Sequence, residues 1–287
     1  VYPIALVPSL VARYALAWSA LTLAGRVLFG ARAWSAHGDV FAIYFAALGR
    51  FAPLAGDRNG LRVRAPGAGL LHAANASELA FVLAMLSNVL FDGLRSGAAW
   101  NVLLAWLQRH VPSILDVNGY VAGTLGLVGL WLVFLVAYLV ACALAAQLAS
   151  ARTATLAKLF GWTLVPIAVG YLVAHNLTSL FEQGRNVIPL LSDPFGRRWD
   201  LFGTASYRPD IGLFDARLTW TVAIVAIVAG HVVAVWLAHR LALAKLGSPR
   251  RAALASLVMT VLMVGYTAVS LAIIAEPMVK FESVEGN

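Results

Sequence analysis

The chain has 287 residues, of which 61% are hydrophobic and only 12% are charged, and its formal net charge is +8. Soluble domains carry about a quarter charged residues, so this composition excludes an ordinary soluble enzyme or binding domain. The charge does not indicate a nucleic-acid partner, because Arg and Lys lie mostly in short links between apolar stretches, where they set membrane orientation. The single cysteine, Cys142, excludes an intrachain disulfide and a cysteine-based metal site.

Apolar stretches of about twenty residues recur along the chain, as spanning a bilayer core requires. We therefore predict an all-α integral membrane protein in which residues 1–287 form a single transmembrane helical domain surrounded by lipid. The six predicted spans cover residues 10–29, 78–94, 120–148, 159–180, 218–238 and 252–275. The first span is interrupted by Arg13, whereas the third and the sixth carry no charge.

Two further segments, 31–54 and 98–111, combine aromatic residues with few charges. In the second segment, Trp100, Leu103 and Leu107 fall on one face of a helix. Helices of this kind lie flat at the lipid headgroups or cap a bundle. We favour surface helices that tie the bundle together over a functional gate.

Basic residues are concentrated in three links, which predicts the topology. These links precede the second span, join the third to the fourth, and join the fifth to the sixth. Their basic residues are Arg58, Arg62, Arg64, Arg152, Lys158, Arg240, Lys245, Arg250 and Arg251. Such links stay on the cytoplasmic side of a membrane. Six crossings of a bacterial inner membrane then place both termini on the extracytoplasmic side.

The same topology places the loop 181–217 outside the cell membrane. Turn-forming pairs such as Asp193–Pro194 and several glycines divide this loop. Its aromatic residues are Phe195, Trp199, Phe202, Tyr207 and Phe214, which are too many for a free linker. The loop is predicted to be ordered, either as a lid over the outer ends of the fourth and fifth spans or as a docking surface for a periplasmic or membrane partner.

Ionisable side chains inside a bilayer are costly, so each marks a candidate functional site. Asp92 and His175 both lie near the outer ends of their spans and could meet in the outer leaflet. His231 lies roughly 20 Å deep at 1.5 Å per residue, so it could join them only if a span tilts or breaks. Pro166 in the fourth span favours such a break. Glu182 follows at the end of that span.

Carboxylates and imidazoles are ligands that suit Zn, Fe or Cu. One hypothesis is that Asp92, His175 and His231 hold a metal ion, while Glu182 acts as base on a metal-bound water. A second is that Asp92 or Glu182 orients a histidine as a general base. A third is that His175 and His231 ligate a b-type haem. The spacing is diagnostic of none of these, since the chain has no HExxH motif.

The same residues also have structural interpretations. Asp92 could cap its helix or pair with Arg95. His175 could form hydrogen-bonded contacts between helices together with Asn176. His231 follows a glycine, Gly230, so it could lie at a close contact between two helices with its ring nitrogens hydrogen-bonded.

Four segments carry a family resemblance: AHNLTSLFEQGRNVIPLLSDPFGRRWDLFGTASYRPD, AGHVVAVWLAHRLAL, LTLAGRVLFGARAWSAHGDVFAIYFAALGRFAPLAG and FDGL. They resemble the fenitrothion hydrolase-like family of bacterial integral membrane proteins. The resemblance implies organophosphate hydrolysis for at least one member, and it implies that this chain corresponds to the later part of a longer family protein. It brings no agreed catalytic residues, so none is carried over.

Three functions therefore remain open. An accessory subunit of a larger membrane assembly is favoured, because the uncharged third and sixth spans and the aromatic outer loop would pack against other subunits. The alternatives are an outward-facing metal-assisted hydrolase built on Asp92, His175, His231 and Glu182, and a b-type haem protein. A transporter is disfavoured, since the sequence has no inverted repeat and no matching pair of broken helices.

Overall fold

The computed structural model describes residues 7–57, 60–112, 119–208 and 216–285. Arg58 and Phe214, which the sequence assigned to the basic links and to the outer loop, lie outside the described residues. The side chain of Glu182 also lies outside them, although its backbone belongs to a helix.

Helices make up 80% of the chain, which confirms the all-α class. In chain order the described elements are α1 (Pro8–Phe29), α2 (Ala31–His37), α3 (Val40–Gly49), β1 (Leu54–Asp57), β2 (Gly60–Val63), α4 (Ala76–Ser96), α5 (Ala98–His110), α6 (Tyr120–Ala149), α7 (Thr153–Gly161), α8 (Val165–Gly184), α9 (Val187–Ser192), α10 (Ala216–Leu246) and α11 (Pro249–Glu285). A short 3₁₀ turn at Trp162–Leu164 joins α7 to α8, and another lies at Ala68–Leu70.

Among the described residues, five helical stretches are long and apolar enough to cross a membrane. They are Ala76–Ser96, Tyr120–Ala149, Thr153–Leu177, Arg217–Leu246 and Pro249–Ile273. These stretches overlap the second to the sixth predicted spans. These helices indicate a multi-pass membrane protein, in which their exposed faces contact lipid.

The first predicted span forms helix α1, but this helix is not among the five. It carries Arg13 and Arg26, and Gly25 is its one buried residue among those described. The indole ring of Trp34 in α2 occupies the space that a side chain at Gly25 would need. Helix α1 thus packs mainly on the short helices that follow it, and its passage through the bilayer stays a prediction.

Helix α8 forms the centre of the bundle and packs most extensively on α10. In the 18-residue apolar part of the α7–α8 stretch 78% of the residues are buried, compared with 17% in that of α6. Two glycines bring α8 and α10 together: a Cβ atom at Gly170 would lie 2.5 Å from the carbonyl oxygen of Ala226, and one at Gly230 would lie 2.5 Å from that of Pro166. Small residues of this kind let two membrane helices approach closely.

The links between the helices gather at two ends of the bundle. At the end where α4, α7 and α11 begin, the amide of Ala74 donates to the carbonyl of Lys158 at 2.7 Å, and the links contain many of the basic residues. We call it the basic end. At the opposite end α4 and α8 finish and α10 begins, and we call it the cavity end. The structure thus brings the three basic links together, as the topology prediction requires.

A two-stranded hairpin lies where the sequence predicted only a basic link. Strands β1 and β2 are antiparallel, and Leu54 pairs with Val63. The guanidinium of Arg64, just after β2, donates to the carbonyls of Gly49, Arg50 and Ala52 at 2.8–3.0 Å. This arginine therefore caps the end of α3, and the chain reverses there instead of continuing as one interfacial helix.

The segment predicted as a second surface helix is α5. Trp100 is buried and meets Phe91 of α4 edge-on, with 5.2 Å between the ring centroids. Val102, Leu103 and Trp106 are exposed. Helix α5 is therefore anchored to α4 through Trp100, and its position at the headgroups stays a prediction.

Candidate functional site

The structure brings Asp92 and His175 together at the cavity end. Asp92 lies near the end of α4, and His175 lies one turn after Tyr171 in α8. The Nε2 atom of His175 is 4.0 Å from the Oδ2 atom of Asp92, and the two side chains are 51% and 39% exposed. The predicted meeting of these two residues is therefore confirmed, although their contact is looser than a hydrogen bond.

A cavity of about 130 Å³ opens beside this pair, between α4, α8, α10 and α11. Its polar lining groups are His175, Tyr171 and Ser270, and the rest of the lining is apolar. Pockets for small organic molecules measure about 300–1,000 Å³, so this cavity is sized for a few water molecules or a small ion. Gly93 contributes to the wall.

His231 does not join Asp92 and His175. It is buried in α10, where its Nδ1 atom lies 2.7 Å from the carbonyl oxygen of Ile227. Because that oxygen can only accept, Nδ1 carries the proton and Nε2 is left as an acceptor. Within the described part of the chain, Nε2 reaches no hydrogen-bond donor. Instead, the ring packs against Tyr266 and Tyr171, at centroid distances of 5.7 and 6.2 Å.

The predicted metal site is therefore only partly assembled. No three His, Cys, Asp or Glu side chains of the described residues lie close enough together to hold a metal ion. Asp92 and His175 form a pair, and His231 lies apart from them. The contribution of Glu182 stays a prediction. A haem shared by His175 and His231 is not favoured, because the two side chains line different cavities and Nε2 of His231 is covered.

Two buried hydroxyl groups extend the site in a way that the sequence interpretation missed. The side chains of Tyr171 and Ser270 both lie in the wall of the cavity. Their hydroxyls are close neighbours of each other and of Tyr266, although the hydroxyls of Tyr171 and Ser270 form no hydrogen bond of good geometry within the described residues. The ring of Tyr171 also meets that of Tyr266, at a centroid distance of 5.5 Å. The sequence could have indicated that Tyr171 belongs to the site. It precedes His175 by one helical turn and therefore lies on the same face of the helix.

A second polar cluster, at the basic end, was also missed. The guanidinium of Arg50 donates to Nε2 of His72 at 2.6 Å, pairs with Glu78 at 3.5 Å, and lies 4.2 Å from the ring centroid of Trp162. Burial, and then the neighbouring Arg50 charge, lower the pKa of His72. His72 is thus held neutral, as it must be to accept this hydrogen bond. The sequence interpretation had given His72 no role.

The Arg50 cluster leaves few of its polar groups unsatisfied. Glu78 also closes a capping box at the start of α4: its carboxylate accepts from the amide of Asn75, and the Asn75 side chain accepts from the amide of Glu78, each at 2.8 Å. The pattern Asn75-x-x-Glu78 was a readable signal for this helix start. Because its members bond to one another, the cluster fastens the end of α3 to α4 and to the turn between α7 and α8, and it offers little to a ligand.

The segment 187–208 at the cavity end is held by its own hydrogen bonds. The hydroxyl of Ser192 donates to Asp200 at 2.9 Å and accepts from the amide of Phe202 at 3.0 Å. The amide of Ala205 donates to the same carboxylate at 2.9 Å. The hydrogen bonds from the amide of Ala205 and from the hydroxyl of Ser192 lower the pKa of Asp200. The carboxylate of Asp193 accepts from the amide of Arg198 at 2.7 Å and holds that residue at φ +61°.

No family model, no curated protein and no solved structure matches this chain. The resemblance to the fenitrothion hydrolase-like proteins accordingly stays a prediction.

Proposed function

We propose that this protein is a non-catalytic subunit of a larger assembly in the bacterial inner membrane, and that segment 187–208 is its docking surface. One observation carries the proposal: this segment satisfies its polar groups internally while presenting its large apolar side chains outward. The membrane class rests on the five apolar helices.

The segment is pre-organised for contact with a partner. Ser192 is buried and joins three parts of the segment through its hydroxyl, which contacts Asp200 and the amides of Phe202 and Thr204. Arg198 is held in a left-handed conformation that costs a non-glycine residue about 1–2 kcal/mol. A surface that is already ordered loses less conformational entropy when it binds.

The outer face of this segment is apolar. Phe195 and Phe202 are 72% and 69% exposed. The exposed large apolar residues of the segment are Val187, Ile188, Leu190, Leu191, Phe195, Trp199, Leu201, Phe202 and Tyr207. Exposed apolar patches rimmed by polar groups mark interaction sites, and Arg197 and Arg198 supply such a rim. The partner that fits is a protein with an apolar, aromatic-binding centre and acidic side chains around it.

The orientation of the bundle supports an extracytoplasmic partner. Basic links favour the cytoplasmic side, which places the basic end inside and the cavity end outside. Segment 187–208 then faces the periplasm, where it can meet a periplasmic protein or the outer loops of another membrane subunit.

The test is the mass of the protein purified in mild detergent from its own membranes. We expect a stoichiometric complex heavier than the 30.5 kDa chain, and we expect the double variant Phe195→Ser, Phe202→Ser to release the free chain. The matched control is Leu61→Ser, Val63→Ser, which changes two apolar residues of β2 that are even more exposed, at 81% each. A single chain without a partner in the wild type, or equal loss in both variants, would contradict the proposal.

A second candidate is the outward-facing hydrolase that the family resemblance implies. The observation that favours it is the Asp92–His175 pair, since a carboxylate beside an imidazole is the arrangement of a general base. It ranks second because the adjoining cavity, about 130 Å³, is smaller than an organophosphate triester requires.

Hydrolysis of a chromogenic phosphate triester by the purified protein tests this alternative, with bound metal and the visible spectrum measured on the same sample. The alternative requires turnover that is lost in His175→Ala and reduced in Asp92→Asn. Turnover no faster than in detergent alone would exclude it, and a Soret band would revive the haem hypothesis.

A further inference from the structure

Helices α10 and α11 leave an open crevice between them, with a volume of about 540 Å³. The residues that line it include Val228, Val232, Val235, Thr260, Val264 and Thr267. Val232 and Val264 are 63% and 60% exposed, so they lie on the faces of α10 and α11 that contact lipid. The crevice is therefore continuous with the lipid-facing surface of the bundle.

The few polar groups in the wall of the crevice are occupied or covered. The hydroxyls of Thr260 and Thr267 donate to carbonyls of their own helix, each at 2.8 Å. His231 also lines the crevice, but its Nδ1 is bonded to the carbonyl of Ile227 and its Nε2 is covered. A bound water needs about two to four polar partners. The wall therefore favours hydrocarbon from the bilayer over water or a polar ligand.

The crevice has the length of one acyl chain. It extends along α11 from Thr260 to Leu271, which corresponds to about 16 Å at 1.5 Å per residue. The hydrocarbon core of a bilayer is about 30 Å thick, and because two leaflets make it, one chain reaches about 15 Å. A single lipid chain can therefore fill the crevice along its whole length.

A cation lies where the crevice finishes toward the basic end. The guanidinium of Arg240 is 5.0 Å from the ring centroid of Trp236, one turn earlier in α10, so the side chain is directed back along the helix. Trp236 is 48% exposed and directly follows Val235, which lines the crevice. Among the described residues, no carboxylate pairs with Arg240. The charge that complements this position is an anion at the end of a hydrocarbon chain.

We propose that the crevice binds one anionic phospholipid, with an acyl chain between α10 and α11 and its phosphate on Arg240. A guanidinium forms charge-assisted hydrogen bonds to phosphate oxygens. Lys245 and Arg250 follow on the same side, at the basic end, and basic residues next to membrane helices favour lipids with a net negative charge. This site is independent of the docking surface, since it uses none of the residues of segment 187–208.

Native mass spectrometry of the detergent-purified protein, titrated with phosphatidylglycerol, tests the role of the phosphate. We expect one tightly bound lipid per chain, and we expect Arg240→Gln to weaken its binding about tenfold, as loss of a charge-assisted hydrogen bond implies. The matched control is Arg251→Gln. Arg251 is also exposed, but it lies two and a half turns before Thr260 and so on the opposite face of α11. Equal weakening in the two variants, or equally tight binding of zwitterionic phosphatidylcholine, would overturn the proposal.

A second measurement tests the position of the acyl chain. The protein is placed in vesicles that contain phosphatidylglycerol with a photoactivatable diazirine in its chain. We expect the covalent adducts to concentrate on the crevice residues of α10 and α11, and we expect Val264→Phe, which fills the crevice, to remove most of them. Val225→Phe is the control, since Val225 is also 60% exposed but lies outside the crevice. Adducts spread evenly over α6 and the other lipid-facing helices, or equal yields in the two variants, would refute a bound lipid.

Discussion

The two ends of the bundle use similar polar residues in opposite ways. At the basic end, Arg50 holds His72 at 2.6 Å and Glu78 at 3.5 Å. At the cavity end, His175 and Asp92 stay 4.0 Å apart beside an open cavity. Both clusters join a carboxylate to an imidazole, but within the described part of the chain only the first has a cation placed between them.

This difference separates a structural contact from a site that is available to a ligand. The imidazole and carboxylate around Arg50 already bond to the protein, so a ligand would have to displace those bonds. The pair at the cavity end, together with the buried hydroxyls behind it, retains unused hydrogen-bonding capacity.

Helices α8 and α10 pack on each other between the two ends of the bundle. We expect disruption of this contact to lower the stability of the protein more than any other change. In Gly170→Ala the new methyl group would lie 2.5 Å from the carbonyl oxygen of Ala226. Since backbone cannot yield as a side chain does, we expect a loss of about 3 kcal/mol in stability, near the upper range for overpacking. Thermal unfolding in detergent measures it.

The control for this variant is Gly129→Ala in α6, where a Cβ would meet nothing within 4 Å. Alanine favours a helix over glycine by about 0.5–1 kcal/mol, so this variant should be neutral or slightly stabilised. Equal destabilisation of the two variants would show that α8 and α10 are not in such close contact.

Removal of Arg50 should have the next largest effect. Arg50→Ala loses a hydrogen bond to His72, a partly exposed ion pair with Glu78 and the stacking on Trp162. Together these contacts contribute about 2 kcal/mol, after the ion pair is discounted for its exposure. The melting temperature should fall accordingly, whereas Arg109→Ala, an exposed arginine of α5, should change it little. A melting temperature unchanged in Arg50→Ala would mean that the basic end is not fastened by this cluster.

The Arg50 cluster should also make the protein sensitive to acid. The pKa of His72 is lowered by burial and by Arg50, so the folded state favours the neutral ring. Its contribution to stability is therefore fully present above the unfolded pKa, about 6.5, and is lost as the pH falls through the lowered pKa of the folded state. We expect unfolding curves to show this loss, and we expect His72→Gln to remove it. The same pH dependence in both proteins would assign it to another group.

The helical bundle could largely be predicted from the sequence, because long apolar stretches have few alternatives to helices in a bilayer. Five of the six predicted spans meet the length and composition of membrane helices. The prediction was least informative around α1, where two arginines leave the apolar stretch ambiguous. The hairpin of β1 and β2 was missed because a basic link does not reveal its backbone pairing.

The candidate site could be predicted only in part. Equal depth in the membrane was enough to bring Asp92 and His175 together. The position of His231 could not be inferred, because it depends on how α8 and α10 approach at Gly170 and Gly230. Hydroxyl groups such as that of Ser270 carry no charge, so their burial beside a cavity shows only in three dimensions.

The smallest effects on stability are expected when the carboxylate at each end, Glu78 or Asp92, is replaced by its neutral amide. These two variants compare the two ends directly. Glu78 and Asp92 are similarly exposed, at 30% and 39%. Glu78→Gln keeps the capping acceptor but weakens the pair with Arg50, so we expect a loss of about 0.5–1 kcal/mol. Asp92→Asn should change stability by less than about 0.5 kcal/mol, because its contact at 4.0 Å is loose. If Asp92→Asn destabilised the fold more than Glu78→Gln, the pair at the cavity end would be a structural contact, and the distinction between the two ends would fail.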